Sequence, residues 1–222
     1  MPRRMVPLVT GEYYHVYNRG VARQPVFLTK PDHQRFLRTL DYYRFRDPPM
    51  RFSHYLQLRK EERMHLSHGT KAREPLVLII SFVLMPNHFH VLLKQIAENG
   101  ISTLISRATN SYTRYFNTTH DRVGPLFQGA FKTVRVETDA QLIHLSRYLH
   151  LNPLVSHVVN ESMWRSYPWS SLSDFLQGTS TWLTLEPILE QFPSPRAYAQ
   201  FVYDRADYAK QTNRINHLSL ET

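Results

Sequence analysis

Two histidines one residue apart stand at the start of an apolar stretch. Residues 77–94, VLIISFVLMPNHFHVLLK, predict two β-strands joined by a tight turn at residues 85–87. Side chains alternate between the two faces of a strand, so His88 and His90 share one face and Phe89 takes the other. Two neighbouring imidazoles can hold one metal ion between them. The alternative is a pair of unrelated histidines at a strand end, and the motif alone does not decide between the two.

A second set of polar side chains follows one face of a predicted helix, AQLIHLSRYLHLNP. Thr138 or Asp139 caps this helix, and we expect it to end at Asn152 because the residue before a proline disfavours helical backbone. His144, Tyr148 and Asn152 are spaced by four residues, so they stack on one face. This face therefore carries a second group of candidate site residues.

The residue types on this face suggest a reaction at phosphorus. A tyrosine hydroxyl can be a covalent nucleophile, but its ordinary pKa is about 10, so it needs activation or an electrophile polarised by a metal. At the predicted helix end, the amide oxygen of Asn152 is available as a ligand. A metal on His88, His90 and Asn152 would hold a phosphate beside Tyr148. The alternative is that Tyr148 packs in the core and Asn152 only caps the helix.

The charge of the chain points to a polyanionic partner. Its 222 residues include 27 Lys and Arg against 18 Asp and Glu, a net charge of +9. A basic protein of this kind most often meets nucleic acid, although an ordinary basic enzyme is the alternative. The chain has no cysteine, which excludes disulfides, thiolate zinc sites and cysteine nucleophiles.

No stretch predicts a membrane span. The longest apolar run, residues 76–84, is interrupted by Ser81 and suits a buried strand. The start, MPRRMVPLVTGEYY, lacks the apolar region of a secretory signal. We therefore expect a cytoplasmic protein. Its length suits one domain with an appendage, and the order of its elements, given next, predicts the α+β class.

The remaining patterns define the order of elements. Residues 12–18 and 131–136 predict strands. Helical spacing follows Thr29 and Gly100, and the helix after Thr29 is expected to end near residues 47–49. With the strand pair and the tyrosine helix, the order is strand, helix, strand, strand, helix, strand, helix. This order predicts an antiparallel sheet with helices on one face, in the ferredoxin-like arrangement.

Two regions fall outside this pattern. Residues 44–74 carry eight Lys or Arg against four Asp or Glu without sustained periodicity, which predicts a long basic loop. After residue 155, an aromatic segment from Trp164 to Trp169 is expected to pack back on the domain. Helical patterns near residues 185–192 and 197–208 then predict a helical C-terminal extension over residues 173–222.

Four motifs follow one another along the chain: MPNHFHVLLK (85–94), GPLFQGAFK (124–132), RYLHLNP (147–153) and WRSYPWSS (164–171). Taken in this order, they resemble the REP-associated tyrosine transposases, in the single-tyrosine branch of the HUH (His-hydrophobic-His) endonuclease superfamily. YYHVYNRG (13–20) is similar to the first strand of that family. The resemblance runs from about residue 12 to residue 172, and it implies an HUH nuclease domain over residues 1–172 with the basic insertion inside it.

The resemblance implies a role for each candidate. His88, His90 and Asn152 match the metal ligands, for Mg²⁺ or Mn²⁺, and Tyr148 matches the nucleophile. The implied reaction cleaves single-stranded DNA at the foot of a hairpin and leaves a 5′-phosphotyrosine and a free 3′-hydroxyl. The implied setting is the bacterial cytoplasm with its nucleoid, and the oligomeric state, monomer or homodimer, stays open.

Further residues are assigned as auxiliary or DNA-binding. His144 and Gln128 are candidates for an auxiliary role in the site. Backbone phosphates of DNA are expected to contact five basic residues: Arg19, Arg107, Arg114, Lys132 and Arg135.

Two other functions fit parts of the pattern. One is a non-catalytic module that binds structured single-stranded nucleic acid. The other is a zinc-dependent hydrolase that activates water with the two histidines, although the chain has no HExxH motif to supply a general base. A GxxxxGK[ST] loop is also absent, consistent with a reaction that needs no ATP.

Overall fold

A four-stranded antiparallel sheet forms the centre of the protein. The structure is a computed structural model and describes residues 7–68 and 74–205. The strands are β1 (Tyr13–Arg19), β2 (Val77–Met85), β3 (His88–Gln95) and β4 (Lys132–Val136). Their order in the sheet is β2-β3-β1-β4, and every neighbouring pair is antiparallel. The predicted α+β class and ferredoxin-like order are confirmed.

Helices occupy the connections and the C-terminal part of the described chain. They are α1 (Lys30–Tyr43), α2 (Phe52–Gln57), α3 (Lys60–His68), α4 (Gly100–Thr119), α5 (Asp139–Val155), α6 (Glu161–Trp164), α7 (Leu172–Gln177), α8 (Glu186–Leu189) and α9 (Pro195–Tyr203). Among the described residues, no helix is long and apolar enough to cross a membrane.

Helices α1 and α4 cover one face of the sheet. Thr29 caps α1 in a reciprocal capping box with Asp32, which satisfies backbone N–H groups of the first turn. The ring of Phe36 on α1 lies 4.9 Å from the ring of Phe89 on β3 and 5.1 Å from Tyr112 on α4. Phe89 therefore points towards these helices, and the histidines on either side of it point to the opposite face, where α5 packs. The prediction that the helices lie on one face of the sheet is therefore wrong, because β2 and β3 are apolar on both faces and α5 covers the second one.

The predicted loop at residues 44–74 is wrong over most of its described part, because it contains α2 and α3. Phe52 is buried, and its ring lies 4.9 Å from Tyr42 at the end of α1. Helix α3 begins where the carboxylate of Glu62 accepts a hydrogen bond of 2.7 Å from the backbone N–H of Arg59. Both helices are too short to show periodicity in the sequence. Residues 69–73 lie outside the described residues.

The expected end of the tyrosine helix at Asn152 is also wrong. Pro153 lies inside α5, which continues to Val155. The backbone N–H of Ser156 donates to the carbonyl of Asn152 at 2.9 Å, so the helical bonding resumes after the proline. Leu151 and Leu154 are almost fully buried. Their burial outweighs the local preference against helix before proline.

The C-terminal segments pack against the same core. Trp164 is buried, and Tyr167 donates to the carbonyl of Leu84 on β2 at 2.8 Å, which confirms that the aromatic segment packs back on the domain. Helices α8 and α9 correspond to the two predicted helical patterns, of which residues 206–208 lie outside the described residues. The boundary at residue 172 stays a prediction, since Phe175 and Tyr198 join the core continuously.

Candidate active site

The register of β1 and β3 assembles a cluster of rings on the open face of the sheet. Tyr17 pairs with His90 and Arg19 pairs with His88, so these side chains share a face. The rings of His88 and His90 are 4.9 Å apart and perpendicular. Helix α5 places Tyr148 above them, with its ring 5.9 Å from that of His90. The structure thus brings together the predicted histidine pair and the predicted nucleophile.

His15 holds the buried histidine of the pair. Its Nε2 lies 2.8 Å from Nδ1 of His90, and the two rings stack with centroids 5.0 Å apart. Burial lowers the pKa of His90 well below its ordinary value, and the neighbouring His15, His88 and Arg19 lower it further. Burial likewise lowers the pKa of His15 to about 4. Both imidazoles are therefore neutral, which is the form that binds metals.

Asn87 orients His88 in a corresponding way. Its amide nitrogen donates to the carbonyl of Arg23 at 3.1 Å, which leaves its oxygen to face Nδ1 of His88 at 2.6 Å. Nδ1 of His88 then carries the proton, and the lone pair of the ring is on Nε2. Partners of this kind fix the ring orientation of metal-binding histidines in many proteins.

Tyr148 is accessible at the surface of the cluster. It is 42% exposed, although the six residues that follow it in α5, 149–154, are buried. Its ring meets both His90 and His15 edge-on, at 5.9 and 6.4 Å. The prediction that this face of α5 carries a reactive tyrosine is compatible with this placement, whereas packing of Tyr148 in the core is not.

Asn152 does not have the free amide that the sequence predicted. It is 4% exposed, one helical turn after Tyr148, and its Oδ1 accepts a hydrogen bond of 3.1 Å from Ser156 Oγ. The cause is the continuation of α5 past Pro153, which brings Ser156 to the next turn. A carbonyl oxygen has two lone pairs, so one hydrogen bond still leaves a position for a metal. The assignment of Asn152 as a ligand remains a prediction.

The donor set fits a divalent ion. Within residues 7–68 and 74–205, no group of three His, Cys, Asp or Glu side chains is arranged to bind a metal. A site on His88 and His90 therefore needs a ligand of another type, for which the amide oxygen of Asn152 is the predicted candidate. Two imidazoles with one oxygen ligand and open positions suit Mn²⁺ or Mg²⁺ on a phosphate.

The two auxiliary candidates have different surroundings. Nδ1 of His144 accepts from Arg147 at 2.8 Å, and its ring lies 5.7 Å from Phe201 on α9. These contacts direct His144 towards the C-terminal segment. The backbone N–H of Gln128 donates to the carbonyl of Arg19 at 2.8 Å, which places Gln128 at the end of β1, with an exposed side chain.

The five predicted DNA-binding residues fall into separate groups. Arg19 and Lys132 lie on the histidine face, since Lys132 pairs with Tyr17. Arg135 lies on the other face of β4 and forms an ion pair of 3.0 Å with Glu12. Arg107 and Arg114 lie on α4, with the sheet between them and the histidines.

Sequence reasoning missed His15. The signal was the alternation of Tyr13, His15 and Tyr17 in YYHVYN, which puts three ring side chains on one strand face. Its contact with His90 depends on the register between β1 and β3, which are about seventy residues apart in the chain, and no local pattern encodes that register.

Comparison with known proteins finds one matching family model and a similar solved structure. Residues 53–152 match the family model of the IS200-like transposases. The matched range spans somewhat less than half of the chain and includes His88, His90, Tyr148 and Asn152 but not β1. No curated protein matches the chain in sequence. Among solved structures, the chain is similar to a REP-associated tyrosine transposase bound to a REP hairpin, with 13% identity, a TM-score of 0.49, and coverage of 81% of this chain and 88% of that chain.

Proposed function

We propose that this protein is a metal-dependent endonuclease and strand transferase that cleaves single-stranded DNA through Tyr148. The observation that carries the proposal is the position of this exposed tyrosine, edge-on to His90 at 5.9 Å, on the face that also holds His88. The matching family of transposases supports a reaction on DNA. The tyrosine nucleophile and the metal rest on the geometry and on the sequence motifs.

The reaction exchanges one phosphoester for another. The hydroxyl oxygen of Tyr148 forms a bond to phosphorus, and the bond between phosphorus and the 3′ oxygen breaks. The tyrosine loses its proton and the departing oxygen gains one, which leaves a 5′-phosphotyrosine and a free 3′-hydroxyl. Since the phosphoester energy is kept in the tyrosine link, a 3′-hydroxyl can reverse the reaction and join strands without ATP.

His88, His90 and Asn152 are the residues that would hold the metal. A divalent ion there supplies positive charge to the phosphate oxygens, which makes phosphorus more electrophilic. His15 and Asn87 keep the Nδ1 positions of the two ligands occupied, so each ring presents Nε2. Low pKa values keep His15 and His90 neutral at physiological pH. These contacts thus orient the imidazoles of His88 and His90 before a metal binds.

We propose hairpin DNA of the REP type as the substrate, cleaved at its foot. This substrate comes from the motifs shared with the REP-associated tyrosine transposases. Arg19 and Lys132, on the same face as the histidines, are placed to position the DNA backbone without reading sequence. The net charge of +9 suits a protein of the bacterial nucleoid.

A denaturing gel tests the proposal. Purified protein is incubated with labelled single-stranded hairpin DNA, with Mn²⁺ or with EDTA. We expect a covalent protein–DNA band that requires Mn²⁺ and is absent from Tyr148→Phe. Cleavage without such a band would instead support activation of water by the metal, as in the alternative hydrolase.

A second candidate is a non-catalytic module that binds structured single strands. The hydrogen bond from Ser156 to Asn152 favours it, since this bond occupies part of the proposed third ligand. The same gel separates the two functions. Tight hairpin binding with neither cleavage nor a covalent band would establish the binding module.

A further inference from the structure

An open cleft of about 500 Å³ lies on the outer surface of the α1 and α4 layer, bordered by the start of α2. Four arginines line it: Arg35, Arg51, Arg107 and Arg114. The other lining residues are hydroxyl or amide side chains, including Asn110, Ser111 and Thr118, and two tyrosines. Among the residues that the structure describes, no acidic side chain lines the cleft, so this lining concentrates positive charge together with hydrogen-bond donors.

Arg35 is held rigidly at this cleft. Its guanidinium lies over the ring of Phe52 at 4.7 Å and over the ring of Tyr115 at 5.0 Å. Contacts of this type hold a guanidinium in place without neutralising its charge. Its Nε is buried and has no hydrogen-bond partner among the described residues. Burial lowers the pKa of Arg35; Tyr115 and Tyr43 partly oppose this shift, and the charge of nearby Arg38 adds to it. The protein therefore bears an electrostatic cost here that an anion would relieve.

One part of the cleft is built by the basic insertion at residues 44–74, in which the sequence predicted no helix. Helix α2 belongs to the basic insertion, and it supplies Phe52 against Arg35 as well as the flanking Arg51 and Ser53. Arg107 is fixed by a hydrogen bond of 2.8 Å from its Nη1 to the carbonyl of Arg46, also in the insertion. The insertion thus completes one wall of the cleft.

We propose that this cleft binds the phosphate backbone of DNA, as a second contact separate from the site of Tyr148. Arginine guanidinium groups bind phosphate oxygens in bidentate fashion, and hydroxyl and amide side chains add hydrogen bonds to the backbone. Within the described part of the chain, no acidic lining residue competes with phosphate for these arginines. Arg107 and Arg114, which the sequence analysis assigned to DNA binding, would contact the backbone in this cleft. Arg35 and Arg51, which the sequence analysis did not single out, would do the same.

The position of the cleft makes it a distinct contact. Phe89 and Phe36 show that α1 and α4 cover the face opposite the histidines, and the arginines lie on the outer side of these helices. A helix is about 10 Å across, so the helix layer and the sheet separate the cleft from Tyr148. The cleft therefore engages a DNA segment other than the phosphate being cleaved. The identity of this partner as DNA rests on the proposed function.

The salt dependence of binding tests this inference. Fluorescence anisotropy with a fluorescein-labelled DNA hairpin carrying a single-stranded tail gives the dissociation constant at several salt concentrations. Each lost arginine–phosphate contact reduces the slope of log K against log salt by about 0.9 on duplex DNA. For Arg51→Ala/Arg114→Ala, which removes two exposed side chains, we expect a slope reduced by about 2 and an affinity at least tenfold weaker at low salt.

A charge-matched control uses Arg59→Ala/Arg196→Ala. Both side chains are exposed and neither lines the cleft. We expect this control to keep the wild-type slope to within a few tenths. Equal losses in the two double variants would show a general effect of net charge and overturn the proposal, as would an unchanged slope in the cleft variant.

Tyr148→Phe separates this inference from the proposed function. A wild-type slope in Tyr148→Phe, with the reduced slope in the cleft variant, supports the cleft even if no covalent adduct ever forms. Cross-linking then locates the contact. p-Benzoylphenylalanine in place of Thr118, a residue of the cleft wall, should cross-link to the DNA, and the same group in place of exposed Glu190 should not. Cross-links from position 190 but not from 118 would contradict the cleft.

Discussion

Helix α5 contributes to two clusters of histidine and tyrosine that differ in accessibility. On one side, Tyr148 stands beside His90, whose Nδ1 is 2.8 Å from Nε2 of His15. On the other, His150 lies with its Nδ1 2.7 Å from the hydroxyl of Tyr198. Burial lowers the pKa of the central histidine in both clusters. Residue type and pKa direction therefore do not distinguish them.

The difference lies in access to solvent. In the second cluster, Nε2 of His150 bonds to Ser171 Oγ at 2.8 Å, and the hydroxyl of Tyr198 also contacts Ser146 Oγ at 2.9 Å. All four side chains are fully buried, and burial raises the pKa of Tyr198 above its ordinary range. A polar network with every atom satisfied and no access to solvent stabilises a fold. In the first cluster, Tyr148 is exposed and available to a substrate.

The sealed cluster supports the open one. It joins α5 to α9 through Tyr198 and to the segment before α7 through Ser171, whose hydroxyl also bonds to the backbone of Phe82 on β2. Trp164 Nε1 adds a hydrogen bond of 2.6 Å to the carbonyl of His150. The C-terminal segments thus fix the helix that carries Tyr148 over the histidines.

The largest effect is expected from removing both proposed metal ligands. His88→Ala/His90→Ala should lower the rate of covalent adduct formation by about 10³-fold, because the loss of the metal removes about 4 kcal/mol of transition-state stabilisation. Quantified gels over time measure the rate. Binding of Mn²⁺ to the free protein, followed by isothermal titration calorimetry, should disappear as well. Retained Mn²⁺ binding in the double variant would assign the metal to other residues.

Removal of the sealed histidine should affect stability instead. His150→Ala leaves the hydroxyls of Tyr198 and Ser171 without their imidazole partner and opens a cavity, so the free energy of unfolding should fall by about 3 kcal/mol. Urea unfolding followed by circular dichroism measures this change. Tyr148→Phe is the matched control from the open cluster and should change the free energy of unfolding by less than about 0.5 kcal/mol. Similar losses in both variants would abolish the distinction between the clusters.

His15 tests whether the histidine–histidine bond positions a ligand. His15→Leu removes the partner of His90 Nδ1, and the affinity for Mn²⁺ should fall between tenfold and a hundredfold, roughly the effect of losing an outer-shell partner. His15→Gln offers an amide oxygen to the same Nδ1 and should recover most of the affinity. A purely structural role would lower thermal stability in both variants and leave the affinity of the folded protein unchanged.

Acid should destabilise the protein through its buried histidines. Burial lowers the pKa of His150 from 6.5 to about 3, so between these values the unfolded chain binds a proton that the folded protein excludes. The contribution of neutral His150 to the free energy of unfolding is present above pH 6.5. It is lost as the pH falls towards 3, by about 1.4 kcal/mol per pH unit. Protonation linked to His150 should thus lower the free energy of unfolding of the wild type by about 2 kcal/mol between pH 6.5 and 5. Urea unfolding of His150→Gln should show a shallower pH dependence; an equal slope would refute this assignment.

The smallest effect is expected from one hydroxyl of the sealed cluster. Tyr198→Phe keeps the ring but removes the partner of His150 and Ser146, which should cost about 1 kcal/mol of stability. Thermal unfolding measures it. Adduct formation per folded molecule should match wild type. A loss of adduct without a loss of stability would instead place Tyr198 in the reaction.

Periodicity within single elements carried most of the correct predictions. The shared face of His88 and His90 and the turn between their strands follow from the spacing of neighbouring residues. The spacing on α5 did not decide whether Tyr148 packs in the core, and the structure shows that it is exposed. The order of strands followed from the order of elements. These features depend on contacts between residues close in the chain or on the regular alternation of side chains along a strand.

The predictions were wrong or incomplete where contacts between distant parts of the chain determine the local structure. The helix continues through Pro153 because buried leucines on either side hold it, and this continuation gives Asn152 a partner in Ser156. Helix α2 forms because Phe52 finds an aromatic pocket at the end of α1. His15 joins the site through strand register. None of these contacts leaves a periodic signal in the chain.

Mapping the covalent link by mass spectrometry tests the central claim most directly. The chain has 13 tyrosines, including the sealed Tyr198, so the position of the adduct is informative. The protein is incubated with hairpin DNA and Mn²⁺, then digested with nuclease and trypsin. The account predicts a 5′-phosphonucleotide on Tyr148 alone, and none in EDTA. A nucleotide on another tyrosine, or cleaved DNA with no modified peptide, would contradict it.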